Sequence, residues 1–389
     1  MNIAPRQHVG HVGSPRAPLR IMFSGTSYPS SAKDWKGLFI QRLVEALARR
    51  GDASLRVWLP PGMLPAGVQR TTHLGDDAWL ARLMDAGGIA HLLRTHKLKG
   101  IATAGSLLWR LRRAYGTGDH DLYHINWLQN AIPLPNDGKP ALVTVLGTDL
   151  QLLRLPGMQA MLRRALRHRR AILCPNADWM VASLEQGFGD IVQVHAVPFG
   201  IDPSWYDIAR IPTVEGPHRW LAVTRLTAGK LGPLFKWCAP LFAGARRELH
   251  LFGPRQENIQ VPEWVHYHGS ATPEQLCRAW FPVACGLVSL STHAEGRPQV
   301  MLEAMAAGLP ILASRLPAHV DVVTHARTGW LCDDPAGLAE GIAVIEDPRH
   351  NREMELEARA WVRQRIGDWE DCAGRYAGLY RSLTGSRER

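Results

Sequence analysis

The stretch THAEGRPQVMLEAMAAGLP (292–310) carries two carboxylates, Glu295 and Glu303, with seven residues between them. Glu295 falls in a Gly-Pro loop after the apolar run CGLVSLS (285–291), and Glu303 falls inside an apolar stretch that reads as a helix. Pro298 suits the first turn of that helix and Gly308 its end. Amides at a helix start lack intrahelical acceptors, so the backbone of Gly296, Arg297, Gln299 and Val300 offers a seat for an anion. A phosphate in that seat repels a carboxylate. Glu295 therefore matches neutral hydroxyls such as those of a sugar, and Glu303 matches the hydroxyls of a ribose. A diphosphate would lie between them. Cations for it stand upstream, where AVTRLTAGKLG (222–232) supplies Arg225, a planar fork, and Lys230, a compact point charge. Gly253, which ends ELHLFG (248–253), is grouped with this binding set. Each feature alone has a plainer reading: a Glu near a helix start is favoured by the helix dipole, and surface Arg and Lys are common. Their concentration in one half of the chain favours the chemical reading.

The elements that must hold these residues are legible as an alternation. LRIMFSG (19–25), LRVWL (55–59), LYHINWL (122–128), ALVTVLG (141–147) and AILCP (171–175) read as strands. GLFIQRLVEALARRG (37–51) reads as an amphipathic helix, with Ile40, Leu43, Val44 and Leu47 on one face and Gly51 just after it. VPFGIDPSWYDIARIPTVEGPH (197–218) interrupts the pattern with Pro and Gly. It restarts at WLAVTRL (220–226) and continues through ELHLFG, WVHYHG (264–269), CGLVSLS and LPILAS (309–314). Strands alternating with helices give parallel sheets covered on both faces. The expectation is an α/β chain of two Rossmann-like doubly wound domains facing across a cleft. A loose tail (1–18) precedes a first domain (19–196), a linker (197–218), a second domain (219–366) and a closing helix (367–389). Ligands of such sheets bind outside the carboxyl ends of the strands, so the cleft is the expected site.

Composition is consistent with this. A chain of 389 residues has room for two domains, and 46% apolar residues can fill their cores. No apolar run is long enough to span a bilayer, and the tail lacks the apolar block of a signal peptide. The six cysteines form no C-x-x-C pair and have no His partners at zinc spacing, which fits reduced thiols in the cytoplasm. Asp119 and Asp121 spell D-x-D, a metal-holding pattern in other contexts, but they precede a strand. No metal is expected, because cationic side chains and a helix start can take its place.

Together these motifs resemble the retaining glycosyltransferases of family 4, whose fold is GT-B. EGRPQVMLEAMAAGLPILAS is similar to that family's E-x7-E motif, VTRLTAGK to its phosphate segment and VPFGIDPSWY to its inter-domain stretch. ACGLVSLSTHAEG is similar to the strand leading into the motif, and WEDCAGRYAGLY to a closing helix that returns to the first domain. The resemblance implies that Glu295 contacts the donor sugar at the reaction centre and Glu303 the ribose. It assigns Arg225 and Lys230 to the pyrophosphate and its leaving-group charge. It further implies a nucleotide-sugar donor, no metal cofactor, and retention by front-face departure, with the leaving phosphate accepting the acceptor's proton. In the first domain the family has a Gly-rich turn before its first helix; DWKGLFIQ (34–41) keeps Gly37 but has Lys36 for the second glycine. A donor-facing His of the family is replaced by Leu146, although Gly147, Thr148 and Asp149 remain. DLYHINWL keeps His124 and has Asn126 where a second His is common. His124, Asn126, Thr148 and Asp149 are therefore candidates for the acceptor side or the donor-sugar pocket.

Charge divides the chain. Residues 1–200 hold 24 Lys and Arg against 13 Asp and Glu, whereas residues 201–389 hold 21 against 22. A basic first half fits an anionic partner. MQAMLRRALRHRRAI (158–172) reads as a basic amphipathic helix with Arg163, Arg164, Arg167 and Arg170 opposite its apolar face. LRTHKLKGIATAGSLLWRLRRAYG (93–116) mixes Leu and Trp with six more cations. Such helices fit an anionic membrane surface, where each nearby Lys or Arg contributes about 1 kcal/mol. The expected partners are a nucleotide sugar, a glycan or lipid-linked acceptor of a bacterial surface-glycan pathway, and the inner face of the cytoplasmic membrane; no nucleic-acid module is visible. Two alternatives stay open: a nucleotide-sugar hydrolase or epimerase on the same fold, and a non-catalytic basic binding protein with a worn site.

Overall fold

The computed structural model describes residues 17–31, 34, 36–211 and 216–385; most of the tail and part of the linker (212–215) lie outside the described residues. The first domain is a sheet of β1 (Leu19–Ser24), β2 (Ala53–Trp58), β3 (Gln69–Arg70), β4 (Leu122–Asn126), β5 (Ala141–Val145), β6 (Ala171–Pro175) and β7 (Gln193–Val194). Its spatial order is β3-β2-β1-β4-β5-β6-β7, and the pairings are parallel. The second domain has β8 (His218–Val223), β9 (Arg247–Phe252), β10 (Val265–Tyr267), β11 (Gly286–Ser289), β12 (Ile311–Ser314) and β13 (Gly329–Cys332). Their order is β10-β9-β8-β11-β12-β13, again parallel. Every residue of β4, β5 and β6 is buried, as in parallel sheets covered on both faces; β5 and β6 are accordingly almost wholly apolar, while β4 carries His124 and Asn126 into the interior.

Strand order reverses between β1 and β4 in the first sheet and between β8 and β11 in the second. Such switch points open a crevice at the carboxyl ends of the strands. Arg225 and Lys230 follow β8 and Glu295 follows β11, so the candidate residues flank the second crevice. The first crevice is edged by Gly25 and by Asn126–Trp127.

The chain crosses between domains twice at one place. Ile201 pairs with Asp368, and a Cβ on Gly200 would lie 2.3 Å from the Asp368 carbonyl oxygen, so only glycine allows this approach. Beyond it the helix Trp369–Thr384 packs into the first domain's core beside the helix Leu38–Arg50, sharing a cluster with Ile21, Leu43, Leu47 and Tyr376. Asp368 caps this helix through the amides of Glu370 and Asp371.

Candidate active site

The loop after β11 brings Glu295 against Lys230. Lys230 Nζ lies 2.6 Å from Glu295 Oε2, with the two side chains 15% and 14% exposed. Ser291 Oγ donates to Glu295 Oε1 at 3.2 Å. Lys230 sits on the short turn Ala228–Leu231, where Thr227 Oγ1 accepts from its amide at 3.3 Å. The turn is tied to the Glu295 loop because Thr292 N donates to Gly229 O at 2.8 Å. Burial pushes the Lys230 pKa down, and the Glu295 carboxylate opposes that shift; Arg225 is near enough to add to the lowering. Arg225 donates from Nη1 to Gln256 Oε1 at 3.3 Å. The result is a cluster of two cations and one carboxylate at the β8/β11 crevice.

The helix after the loop is Gln299–Ala306. Pro298 lies just before its first turn, not within it: its φ and ψ of −67° and 114° are extended, and its missing N–H would be unpartnered in either place. The amides of Gln299 and Val300 begin the helix and have no intrahelical acceptor. The Gln299 side chain donates to Gly200 O at 2.9 Å. One turn on, Glu303 opens onto a cavity of about 400 Å³ whose walls come from both domains. Leu38, Phe39 and Arg42 contribute from the first domain, Asp202 and Trp205 from the linker and Glu303 from the second. Burial, reinforced by Asp202, pushes the Glu303 pKa up to about 8. Asp202 Oδ2 is itself 3.5 Å from Arg42 Nη2.

The two domains meet at the Glu295 loop. A Cβ on Gly147 would lie 2.0 Å from the Glu295 carbonyl carbon, so glycine is required where β5 ends against the facing loop. A Cβ on Gly296 would collide with Asn176 Oδ1 at 2.2 Å. Trp179 Nε1 donates to Gly296 O at 2.8 Å, and Trp179 N donates to Asp321 Oδ1 at 3.0 Å. Arg297 was expected beside the anion through its amide. Its side chain, in a residue only 8% exposed, joins Asp321 of its own domain to Asp178 of the first, at 2.5 and 3.2 Å. Asn176, Asp178, Trp179 and Asp321 carry no motif that sequence reasoning could seize. His319 was also missed. It is fully buried, its Nδ1 donates to Ser314 O at 2.8 Å, and its pKa, lowered by burial, responds to Glu295 and Lys230.

The first-domain candidates are redistributed. Gly37 caps the helix Leu38–Arg50 with φ 75°, where a Cβ would meet Tyr28 N at 2.6 Å, so glycine is needed there for the backbone. His124 is not in a pocket. It is fully buried between the sheet and the closing helix, with Nδ1 2.5 Å from Tyr380 Oη and Nε2 2.9 Å from Thr144 Oγ1. Burial lowers its pKa to about 3, so it is a neutral core group. Asp149 is likewise buried, accepts from Leu146 N at 2.8 Å, and caps the turn Gly147–Leu152; burial raises its pKa to about 7. Thr148 beside it is exposed. Asn126 ends β4 at the crevice, donating to Ser24 O at 3.0 Å and leaving Oδ1 buried without a partner. The next residue, Trp127, has φ 68°, a conformation that costs a bulky residue about 1–3 kcal/mol and tends to mark functional sites. Gly253, φ 141°, serves the backbone: a Cβ would strike Thr224 O at 1.8 Å, which lets β8 and β9 end side by side.

Outside the cleft, Asp119 and Asp121 both pair with Arg20 at the opposite, amino end of the sheet. Of the arginines expected to form a free basic face, Arg163 binds Asp190 and Gly187 O, and Arg170 binds the carbonyls of Ser382 and Gly385. Arg164 and Arg167 remain exposed. Among the described residues, no helix is long and apolar enough to cross a membrane.

Over 97 residues the chain is 32% identical to N-acetyl-alpha-D-glucosaminyl L-malate synthase of Bacillus anthracis, covering 24% of this chain and 25% of that protein. Over 168 residues it is 27% identical to the amylovoran biosynthesis glycosyltransferase AmsK of Erwinia amylovora, covering 39% and 41%. The matches thus span a quarter to two-fifths of those relatives. In architecture it is similar to sucrose-phosphate synthase from Thermosynechococcus elongatus, with TM-score 0.69 at 17% identity over 94% of this chain and 99% of that one. Anabaena HepE in complex with UDP-glucose gives TM-score 0.63 at 18% identity, over 94% and 100%. The fold is that of the GT-B structures, two Rossmann-like parallel sheets, and residues 234–346 match the model of the family Glycosyl transferases group 1.

Proposed function

We propose that this chain is a retaining glycosyltransferase that needs no metal and moves a sugar from a nucleotide-sugar donor to an acceptor. The donor's diphosphate sits at the amides of Gln299 and Val300, with Lys230 and Arg225 balancing its charge. Glu303 accepts from the ribose hydroxyls at the mouth of the two-domain cavity, and Glu295 accepts from the hydroxyls of the sugar. The C–O bond between sugar and phosphate breaks on the face where the acceptor oxygen forms the new one. The departing phosphate takes the acceptor's proton, and the nucleoside diphosphate leaves. Lys230 and Arg225 stabilise charge that grows on the leaving oxygen, which is where fixed cations lower a barrier most. Leu146 has no part in that scheme, and His124, locked in the core, does not replace the missing His.

The observation that carries this reading is the Lys230–Glu295 pair in the loops after β8 and β11, followed directly by the Gln299–Ala306 helix whose Gln299 and Glu303 line the cavity between the domains. The named relatives support a glycan or glycoside product, as in amylovoran biosynthesis, and HepE, a structural neighbour, is described with UDP-glucose. The acceptor is a glycan or a lipid-linked sugar in bacterial surface-glycan synthesis. The basic first half meets the inner face of the cytoplasmic membrane.

The test is a panel of UDP-, GDP- and ADP-sugars, each with EDTA or with manganese. At a hundred times its Kd the right donor stabilises the native chain by about 2.7 kcal/mol, visible as a raised Tm. Transfer to a sugar acceptor with that donor in EDTA, giving an anomer of unchanged configuration, is the expected result. Inversion, or transfer only with manganese, would sink the mechanism.

A further inference from the structure

At the edge of the second sheet three imidazoles crowd together. His250 of β9 stands opposite His266 of β10 in the parallel register, with ring centroids 4.9 Å apart and planes within 20° of parallel. His268, just past β10, lies 5.3 Å from His250 and 4.7 Å from Phe252, again nearly parallel. His250 is buried, whereas His266 and His268 are exposed. His250 Nε2 lies 3.1 Å from Glu248 Oε2, and its Nδ1 lies 3.0 Å from His268 Nε2. An ionised carboxylate only accepts, so in the neutral ring Nε2 carries the proton and Nδ1 accepts from His268. Glu248 is itself 3.6 Å from Arg219 of β8. The charged and titratable groups acting on His250 are thus Glu248, His266 and His268, and burial holds both His250 and His268 below the ordinary 6.5.

Trp280 closes the cluster. Its ring lies 4.8 Å from His250, 4.7 Å from His268 and 5.0 Å from Phe252. It ends Leu276–Trp280, a single turn of π-helix, a rare geometry that recurs at functional sites. Cys277 and Arg278 of that turn, with Pro273 and Glu274 just before it, line the cavity onto which Glu303 opens. Glu274 and Arg278 pair with each other at 3.2 Å, and Cys277 Sγ donates to Ser204 O of the linker at 3.5 Å. One short turn therefore touches the histidines with Trp280 and the cavity with its preceding residues.

We infer that the His250–His268 pair is a pH-sensitive latch on this cavity wall, which releases Trp280 and loosens the turn Leu276–Trp280 when both rings are protonated. One extra proton leaves a donor and an acceptor between the rings. A second sets two N–H groups of like charge against each other, which breaks the bond and repels the rings. The packed cluster binds fewer protons than the loosened one, so the wall is tight at neutral pH and loosens as pH falls below 6.5. The consequence for ligands rests on the proposed function: a donor whose ribose is held by Glu303 binds more weakly in acid.

Hydrogen exchange of the full chain, read by mass spectrometry and corrected for the intrinsic pH dependence of amide exchange, tests the latch without any ligand. Between pH 7.5 and 5.5 wild type should lose protection in residues 273–283 by about tenfold per pH unit below 6.5, the slope of one linked proton, while β4 to β6 hold theirs. His268→Gln offers Nδ1 of His250 either a donor or an acceptor, so its turn should keep the same protection across that range to within about twofold. His266→Gln leaves the His250–His268 conflict in place and should keep the wild-type slope. A wild-type turn whose protection ignores pH, or a His268→Gln slope as steep as wild type, would overturn the proposal. Calorimetry with UDP-glucose reads the link to the cavity. Glu303 titrates in both chains, so a steeper acid loss of affinity in wild type than in His268→Gln isolates the latch, and identical profiles would overturn that link. A pH-dependent turn in a chain that binds no sugar nucleotide would remove the glycosyltransferase reading and leave the latch standing.

Discussion

Glu295→Gln tests how the site balances its own charge. Lys230 and Glu295 meet at 2.6 Å with both side chains mostly out of water. Gln keeps the shape and one acceptor oxygen but removes the negative charge, leaving an ammonium where burial already disfavours it. Breaking a buried pair costs about 3–5 kcal/mol. The remaining amide hydrogen bond reduces this to about 2–3 kcal/mol, or roughly 5–10 °C in Tm for a domain of this size. A nucleoside diphosphate brings the missing charge. In a thermal-shift assay the gap between variant and wild type should therefore narrow as nucleotide is added. Nucleotide affinity by calorimetry should hold or rise, because Lys230 no longer has to leave a carboxylate. Transfer should fall on the order of a hundredfold or more, because the sugar loses a charged acceptor at the reacting centre. An unchanged Tm without nucleotide, or affinity falling in step with turnover, would refute this reasoning.

The Glu303 carboxyl has a folded pKa raised from the ordinary 4.5 to about 8, so the unfolded chain ionises first and stability falls as pH rises between those values. Glu303→Gln should remove that slope and be more stable than wild type above pH 8, by up to about 3 kcal/mol once water in the cavity is allowed for; parallel melting curves from pH 5 to 9 would contradict it. Ribose hydroxyls favour the ionised form, so wild-type nucleotide affinity should rise through about pH 8 and the variant's should not. His124→Leu leaves Tyr380 and Thr144 without their buried partner and should cost about 2–4 kcal/mol of stability while changing turnover less than threefold; a large loss of turnover in a stable variant would return His124 to the site. Arg297→Lys keeps the charge but not the fork that joins Asp178 to Asp321. Small-angle scattering should show a larger radius of gyration as the domains part, and an unchanged radius would mean that the clamp is idle.

What could be read from sequence was what lies within a few residues. Glu295 and Glu303 share one loop and helix, and Arg225 and Lys230 share one strand end, so residue type and spacing are enough to single them out as candidates. The two sheets followed from apolar runs, since a strand buried on both faces declares itself by composition. Side chains whose meaning depends on distant partners were not legible. His124 looked like a site residue until Tyr380, 256 positions away, turned it into a core link. The Arg297 side chain had no reading of its own, because its partner Asp178 lies 119 positions away. Arg163 and Arg170 read as a free basic face because helical spacing cannot show Asp190 or the carbonyls of the closing helix beside them. The opposite case is the helix Lys97–Tyr115, where Leu98, Ile101 and Trp109 stand largely exposed among the described residues.

The central claim is met most directly by a structure determined with a nucleotide sugar bound in the presence of EDTA. The diphosphate should lie at the amides of Gln299 and Val300 within reach of Lys230, the ribose on Glu303 and the sugar on Glu295. A donor seated against other residues, or one that enters this crevice only with a divalent cation bridging its phosphates, would contradict the account.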